Sequence, residues 1–162
     1  MNANTNPIVL TFNSNPMKSQ LNAAVPEVSS NGLSLQQLVN RFVSSSHEMA
    51  FRNKVIIVNE VPGDLIITAD ENKVVPVIDE LLTAVVLNGK NSSIYVSADR
   101  YRDIIILNIQ DRNNNNGYAL AFSIMSVEQQ ATAAGGSLTI DGKQKKVTTI
   151  SFSFPIYLQQ TA

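Results

Sequence analysis

The run ITADENKVVPVIDELLTAVV, Ile67 to Val86, changes its period partway along. Ile67-Thr68 closes a strand, Ala69-Asp70 makes a turn, and the remainder places Val74, Val77, Ile78, Leu81, Leu82 and Val85 at three- and four-residue spacing. That spacing predicts a helix with one apolar face. Asp70 is a suitable N-cap because its carboxylate can accept from a free first-turn N–H. Pro76 lies beyond the first turn, where it removes a helical hydrogen bond and should kink the helix or delay its start. Asn88-Gly89 is a fitting stop.

Ser34 to Arg52 precedes this run as an amphipathic helix opened by a Ser34/Gln37 capping box, with Leu35, Leu38, Val39, Phe42, Val43, Met49 and Ala50 on one stripe. Lys54–Val61 and Leu65–Thr68 read as strands around a Pro62-Gly63-Asp64 turn. Ser93–Ala98 and Asp103–Gln110 follow as strands joined by the polar turn Asp99–Arg102. Asp111 to Gly117, DRNNNNG, is a loop, and Tyr118 to Ala134 is a helix stopped by Gly135-Gly136. Leu138–Ile140 and Val147–Tyr157 close the chain as a hairpin through Asp141-Gly142-Lys143. Strands thus arrive in adjacent pairs between helices. This order predicts an α+β fold, a two-layer sandwich of one mixed sheet with three helices on one face, rather than a doubly wound parallel sheet. Residues 34–160 form that domain. Residues 1–33, rich in Asn, Ser and Pro, read as a leader, with Ile8–Phe12 as a short strand for the domain's own sheet or a partner's.

The 162 residues suit one domain, and the 44% hydrophobic fraction supports a sizeable core. A net charge of -1 gives no electrostatic case for nucleic acid or an anionic membrane surface. Having no Cys and one His, the chain has no disulfide, thiol nucleophile or multi-histidine metal site. No apolar run reaches the roughly 20 residues of a membrane span. The first residues lack a secretory pattern, so a cytoplasmic protein is expected.

The strand, Asp and helix of Ile67–Val86 resemble the opening of the ATP-binding domain of sensor histidine kinases, the GHKL ATPase family. Lys73, Val74, Val77, Ile78, Leu81 and Leu82 follow that family's helix pattern, Glu80 stands where it has an acid or amide, and Ala84 stands where it has its magnesium-binding Asn. The resemblance continues through three further segments. The family's D-x-G-x-G run, whose Asp accepts from the adenine amino group, corresponds to Asp111-Arg112-Asn113-Asn114-Asn115, with both glycines replaced by Asn. Asn tolerates positive φ, so the turn can persist, but Asn113 and Asn115 would crowd the base. The phosphate-wrapping G-x-G-L-G-L corresponds to Gly117-Tyr118-Ala119-Leu120-Ala121-Phe122, and the segment that carries the mobile lid is nearly absent. The closing Gly-Thr corresponds to Val147-Thr148, with Thr149 beside it.

The resemblance implies Glu80 as the residue that orients or deprotonates water, and Asp111, Gly117, Thr148 and Thr149 as the adenine and phosphate side, with no metal ligand where Ala84 stands. Each has a plainer reading: Asp79 and Glu80 as the solvated helix face, Asp111 as a strand-end turn acid, Thr148 and Thr149 as β-branched strand residues. Ser46-His47-Glu48 imitates a phosphoacceptor motif, but Met49-Ala50-Phe51-Arg52 breaks the continuation, so His47 is expected at a solvent edge. The function implied is a degenerate ATPase domain with weak or no ATP binding, working by protein contacts in two-component-type signalling. Its partners would be a response regulator, a sensor kinase or a second copy as homodimer, and it would need no cofactor. The alternative is a stand-alone ATP-binding protein kinase of the anti-sigma-factor type, using ATP and magnesium. A phosphotransferase ranks last, because residues 1–33 do not read as a His-bearing helical hairpin.

Overall fold

The computed structural model describes residues 32–157, and all but Gly32 fall in the unit Leu33–Ala162. The expected leader and its strand Ile8–Phe12 lie outside the described residues. The elements run β1 (Leu33–Ser34), α1 (Leu35–Ser45), α2 (His47–Asn53), β2 (Val55–Asn59), β3 (Ile66–Ile67), α3 (Glu71–Asn88), β4 (Ser92–Tyr101), β5 (Ile104–Asp111), α4 (Gly117–Ser123), α5 (Met125–Ala133), β6 (Ser137–Asp141) and β7 (Thr148–Pro155).

Five strands form one mixed sheet in the order β2-β4-β5-β7-β6, parallel only between β2 and β4. The α+β sandwich expected from the paired strands is present. The strand at Leu65–Thr68 is the exception, because its two-residue core, β3, pairs antiparallel with β1 as a separate ribbon. Two of the three expected helices are each broken in two. Ser46 ends α1 with its N–H bonded to the Phe42 carbonyl, and Ile124 separates α4 from α5. At both breaks the joint residue is itself buried, Ser46 at 6% and Ile124 at 4% exposure. The β4–β5 turn falls at Arg102-Asp103 rather than across Asp99–Arg102, with Arg102 at φ 57°.

The core lies between the sheet and α3. Val74, Val77, Ile78, Leu81, Leu82 and Val85 face Ile94, Val96, Ile105, Leu107, Ile109, Ile150 and Phe152 as one buried cluster. Alternate residues of β4, β5 and β7 enter this cluster, as a period-two strand with one packed face requires. Asp70 caps α3, accepting from the Asn72 N–H at 3.1 Å. Pro76 lies inside the helix on its exposed side, and the helix starts at Glu71 without delay. Gly135, at φ 80°, follows the end of α5 in the left-handed conformation that glycine adopts without steric cost.

Candidate functional site

The polar residues that the motifs single out gather where β5 leaves the sheet. Ser92, Asp111, Asn114 and Thr148 are buried there among a few polar side chains in an otherwise apolar interior. Asp111 and Thr148 are register partners at the end of the β5–β7 ladder. Oδ1 of Asp111 accepts a short hydrogen bond from the Ser92 hydroxyl and another from the Asn113 N–H at 3.0 Å. Oδ2 is buried with no hydrogen-bond partner among the described residues. A buried acceptor without a donor is costly, so this atom is the unmet demand of the corner.

Asn114 is buried in the same corner. Its Nδ2 donates to Thr148 Oγ1 at 2.6 Å, its Oδ1 accepts from the Asn116 N–H at 3.3 Å, and its own N–H donates to the Lys146 carbonyl at 2.8 Å. Thr148 commits its proton to the Gly142 carbonyl at 3.0 Å. The loop is thereby tied to the β6–β7 hairpin by side chain and backbone together. Sequence reasoning assigned the crowding to Asn113 and Asn115. In the structure Asn113 Nδ2 donates to the Asn91 carbonyl at 2.8 Å, Asn115 is exposed, and Asn114 is the buried member of the run. None of Asn113, Asn114 or Asn115 adopts positive φ, so the turn is made by Asx-type hydrogen bonds rather than by a left-handed residue. The signal for this was the run of four Asn, whose side chains can replace backbone partners.

Gly117 begins α4, and Asn116 caps it by accepting from the Ala119 N–H at 3.0 Å. A Cβ on Gly117 would lie 2.4 Å from the Lys143 carbonyl oxygen. The glycine is therefore required by the hairpin backbone that rests on it. A cleft of about 400 Å³ opens beside this contact, lined by Asn114 to Tyr118 and Lys143 to Lys146. Thr149 does not join the group. It is half-buried on the opposite face of β7, near Gln110 at 3.4 Å, as strand alternation dictates.

Glu80 also stands apart. It is exposed on the wall of a cleft of about 490 Å³ between α3 and the α4–α5 pair, with Asp79, Thr83, Ala84, Leu87 and Asn88. Asn88 spans one end of this cleft, donating to the Ala84 carbonyl at 2.8 Å and the Ser123 hydroxyl at 3.1 Å. Burial pushes the Asp79 carboxyl up, and the charge of Arg41 partly opposes this. No cluster of three or more His, Cys, Asp or Glu side chains able to hold a metal occurs among the described residues. His47 is exposed at the start of α2, as expected, with its ring 6.5 Å from that of Phe51. No described helix is long and apolar enough to cross a membrane.

No family model matches the chain, and no curated protein matches it in sequence. Solved structures do. The Acinetobacter baumannii histidine kinase AdeS aligns over 76% of this chain and 66% of its own, with a TM-score of 0.63 and 12% identity. The nucleotide-free catalytic domain of histidine kinase ThkA aligns over 77% and 94%, with a TM-score of 0.64 and 14% identity. ThkA in complex with the response regulator protein TrrA aligns over 86% of this chain and 48% of ThkA, with a TM-score of 0.61 and 15% identity. With its mixed five-stranded sheet and covering helices, this chain has the fold of a histidine kinase catalytic domain, the histidine kinase ATPase fold.

Proposed function

We propose that the chain is a histidine-kinase-type ATPase fold that works as a protein-interaction module in two-component-type signalling, with weak or no nucleotide binding. One observation carries this reading. Asn114, 7% exposed, donates to the hydroxyl of Thr148, the register partner of Asp111, which is itself 1% exposed. On this reading the residues around Asp111 do not fit an adenine as they stand. A base would have to displace Asn114 and break its contacts with Thr148, Asn116 and Lys146. Losing two such bonds at about 1 kcal/mol each weakens binding by more than tenfold. Ala84 offers no oxygen where magnesium would need one. The similarity to ThkA, a kinase solved with a response regulator, supports signalling proteins as the class of partner.

A second reading has its own support. The unpartnered Oδ2 of Asp111 is the acceptor that an adenine amino group would satisfy, which favours a nucleotide-binding kinase of the anti-sigma-factor type. Calorimetric titration with Mg-ATP and ADP separates the two. The expected result is no binding tighter than about 0.1 mM. A dissociation constant below about 10 µM, roughly -7 kcal/mol, that Asp111→Ala abolishes would defeat the interaction-module reading.

A further inference from the structure

Strand β6 lies at the edge of the sheet, and among the described residues β7 is its one strand partner. Its outer side therefore presents alternate N–H and C=O groups that no described strand pairs. Natural edges are usually guarded by Pro, Lys or a bulge, whereas Ser137–Asp141, SLTID, carries none of these within the strand. Beside this edge runs an apolar groove of about 370 Å³ between β6 and the α4–α5 pair. Leu138 and Ile140 form its floor, half-buried against the core. Tyr118, Phe122 and Met125 form its far wall at 56%, 76% and 63% exposure. One end of the groove meets the hairpin loop that carries Lys143, Lys145 and Lys146, and the Tyr118 hydroxyl accepts a hydrogen bond from Gln144 of that loop. The one ion pair among the described residues is Arg52–Glu48, so none of the three lysines pairs with a described carboxylate.

We propose that β6 and this groove bind an extended segment of a partner protein, added to the sheet as a sixth strand, with apolar side chains at alternate positions and an acidic residue beside the lysine loop. Each part of the occupant answers an observed feature. The free edge calls for extended main chain, since a helix satisfies its own backbone groups and cannot pair with it. The groove on one side of the edge takes every second side chain, because successive strand residues point to opposite faces. The lysine loop, which pairs with no described carboxylate, complements a carboxylate at the segment's end. The inference rests on reading the domain as an interaction module and names the surface such a module would use.

The test selects peptides of about twelve residues from a random displayed library on the full chain, then measures amide hydrogen exchange with a selected synthetic peptide bound. The expected peptides have alternating apolar residues with an acidic end, and they slow exchange at Ser137–Asp141 at least about tenfold. Phe122→Ser and Met125→Ser, both exposed and compatible with folding, should each weaken binding about tenfold. Lys145→Glu with Lys146→Glu should weaken acid-ended peptides and spare amide-ended ones. Selected peptides with helical spacing, or protection confined to other elements, would overturn the proposal. Protection of β6 by self-association, seen as a dimer in sedimentation without peptide, would overturn it in favour of a second copy. Tight Mg-ATP binding on the same sample would defeat the interaction-module reading instead, and exchange at β6 tells the two failures apart.

Discussion

Helix α3 and the Asp111 corner are both buried, and they are buried by different forces. The inner face of α3 is wholly apolar, and Val74, Val77, Ile78 and Leu81 are fully enclosed. Burial of this kind is non-directional, so any well-sized aliphatic set at the same spacing would do. The corner encloses Ser92, Asp111, Asn114 and Thr148, whose stability depends on particular donors meeting particular acceptors. The first region tolerates changes of identity and resists changes of volume. The second resists changes of identity as well, because each polar group there meets one particular partner.

The largest effect should come from the apolar region. Leu81→Ala removes a fully enclosed side chain from the middle of α3 and should cost about 2–5 kcal/mol in urea unfolding, whereas Leu81→Met should cost less than about 1.5 kcal/mol. Equal losses from both would show that shape, not volume, governs α3 and would erase the contrast. Gly117→Ala comes next. Its Cβ would meet the Lys143 backbone, not a flexible side chain, so about 1–3 kcal/mol should be lost in the same assay. A neutral result would mean that the hairpin moves aside at little cost and the corner is softer than its hydrogen bonds suggest.

Asn114→Gly sharpens the comparison on the polar side. It removes the donor to Thr148 and frees backbone motion, at about 1–2 kcal/mol together. It also removes a buried side chain from the corner that encloses Asp111. Adenosine, which needs no magnesium, should then bind at least about tenfold more tightly to the variant than to the wild type, a gain of about 1.4 kcal/mol readable by thermal shift. Unchanged adenosine binding would show that Asn114 is not what closes the corner.

The same difference explains what the sequence could reveal. Residues such as Leu38, Ile78, Leu107, Leu120 and Phe152 were legible as core because periodicity alone identifies a buried face. The breaks at Ser46 and Ile124 were not, because the apolar spacing continues across them and only the packed sheet decides where a helix must turn. Of the two effects expected of Pro76, the delayed start does not occur, since its ring lies on the exposed side of a helix already held by its buried face. At the corner, Asp111 and Thr148 could be named from their places in the order of motifs, and they do meet. Thr149 was named with them although strand alternation sends it to the other face. Asn114 was missed because four consecutive asparagines look alike until hydrogen-bond geometry distinguishes them.

Two smaller predictions concern the outer surface. His47→Ala should change stability by less than about 0.5 kcal/mol, because the ring is exposed at the first residue of α2. Incubation with a cognate kinase should leave His47 without radiolabel, and transfer to it would reverse the reading of Ser46-His47-Glu48.

The smallest effect is expected at Asp79, on the polar side of α3. Burial raises its carboxyl above the ordinary value of 3.8, and Arg41 on α1 pulls it back part of the way. The folded chain therefore takes up this proton more readily than the unfolded chain does. Below 3.8 the group is protonated in both states and contributes nothing. As pH rises through the folded value, the charged form is held in a partly desolvated place, and stability falls by the difference. Asp79→Asn, which stays neutral, should thus be slightly more stable than the wild type at pH 7 and indistinguishable from it near about pH 3. Because Asp79 keeps much of its solvent contact, the gain should be no more than a few tenths of a kcal/mol. Urea unfolding of both proteins at the two pH values measures it. A wild type that is the more stable at pH 7 would mean that attraction to Arg41 outweighs desolvation, and Arg41→Ala would then remove the advantage.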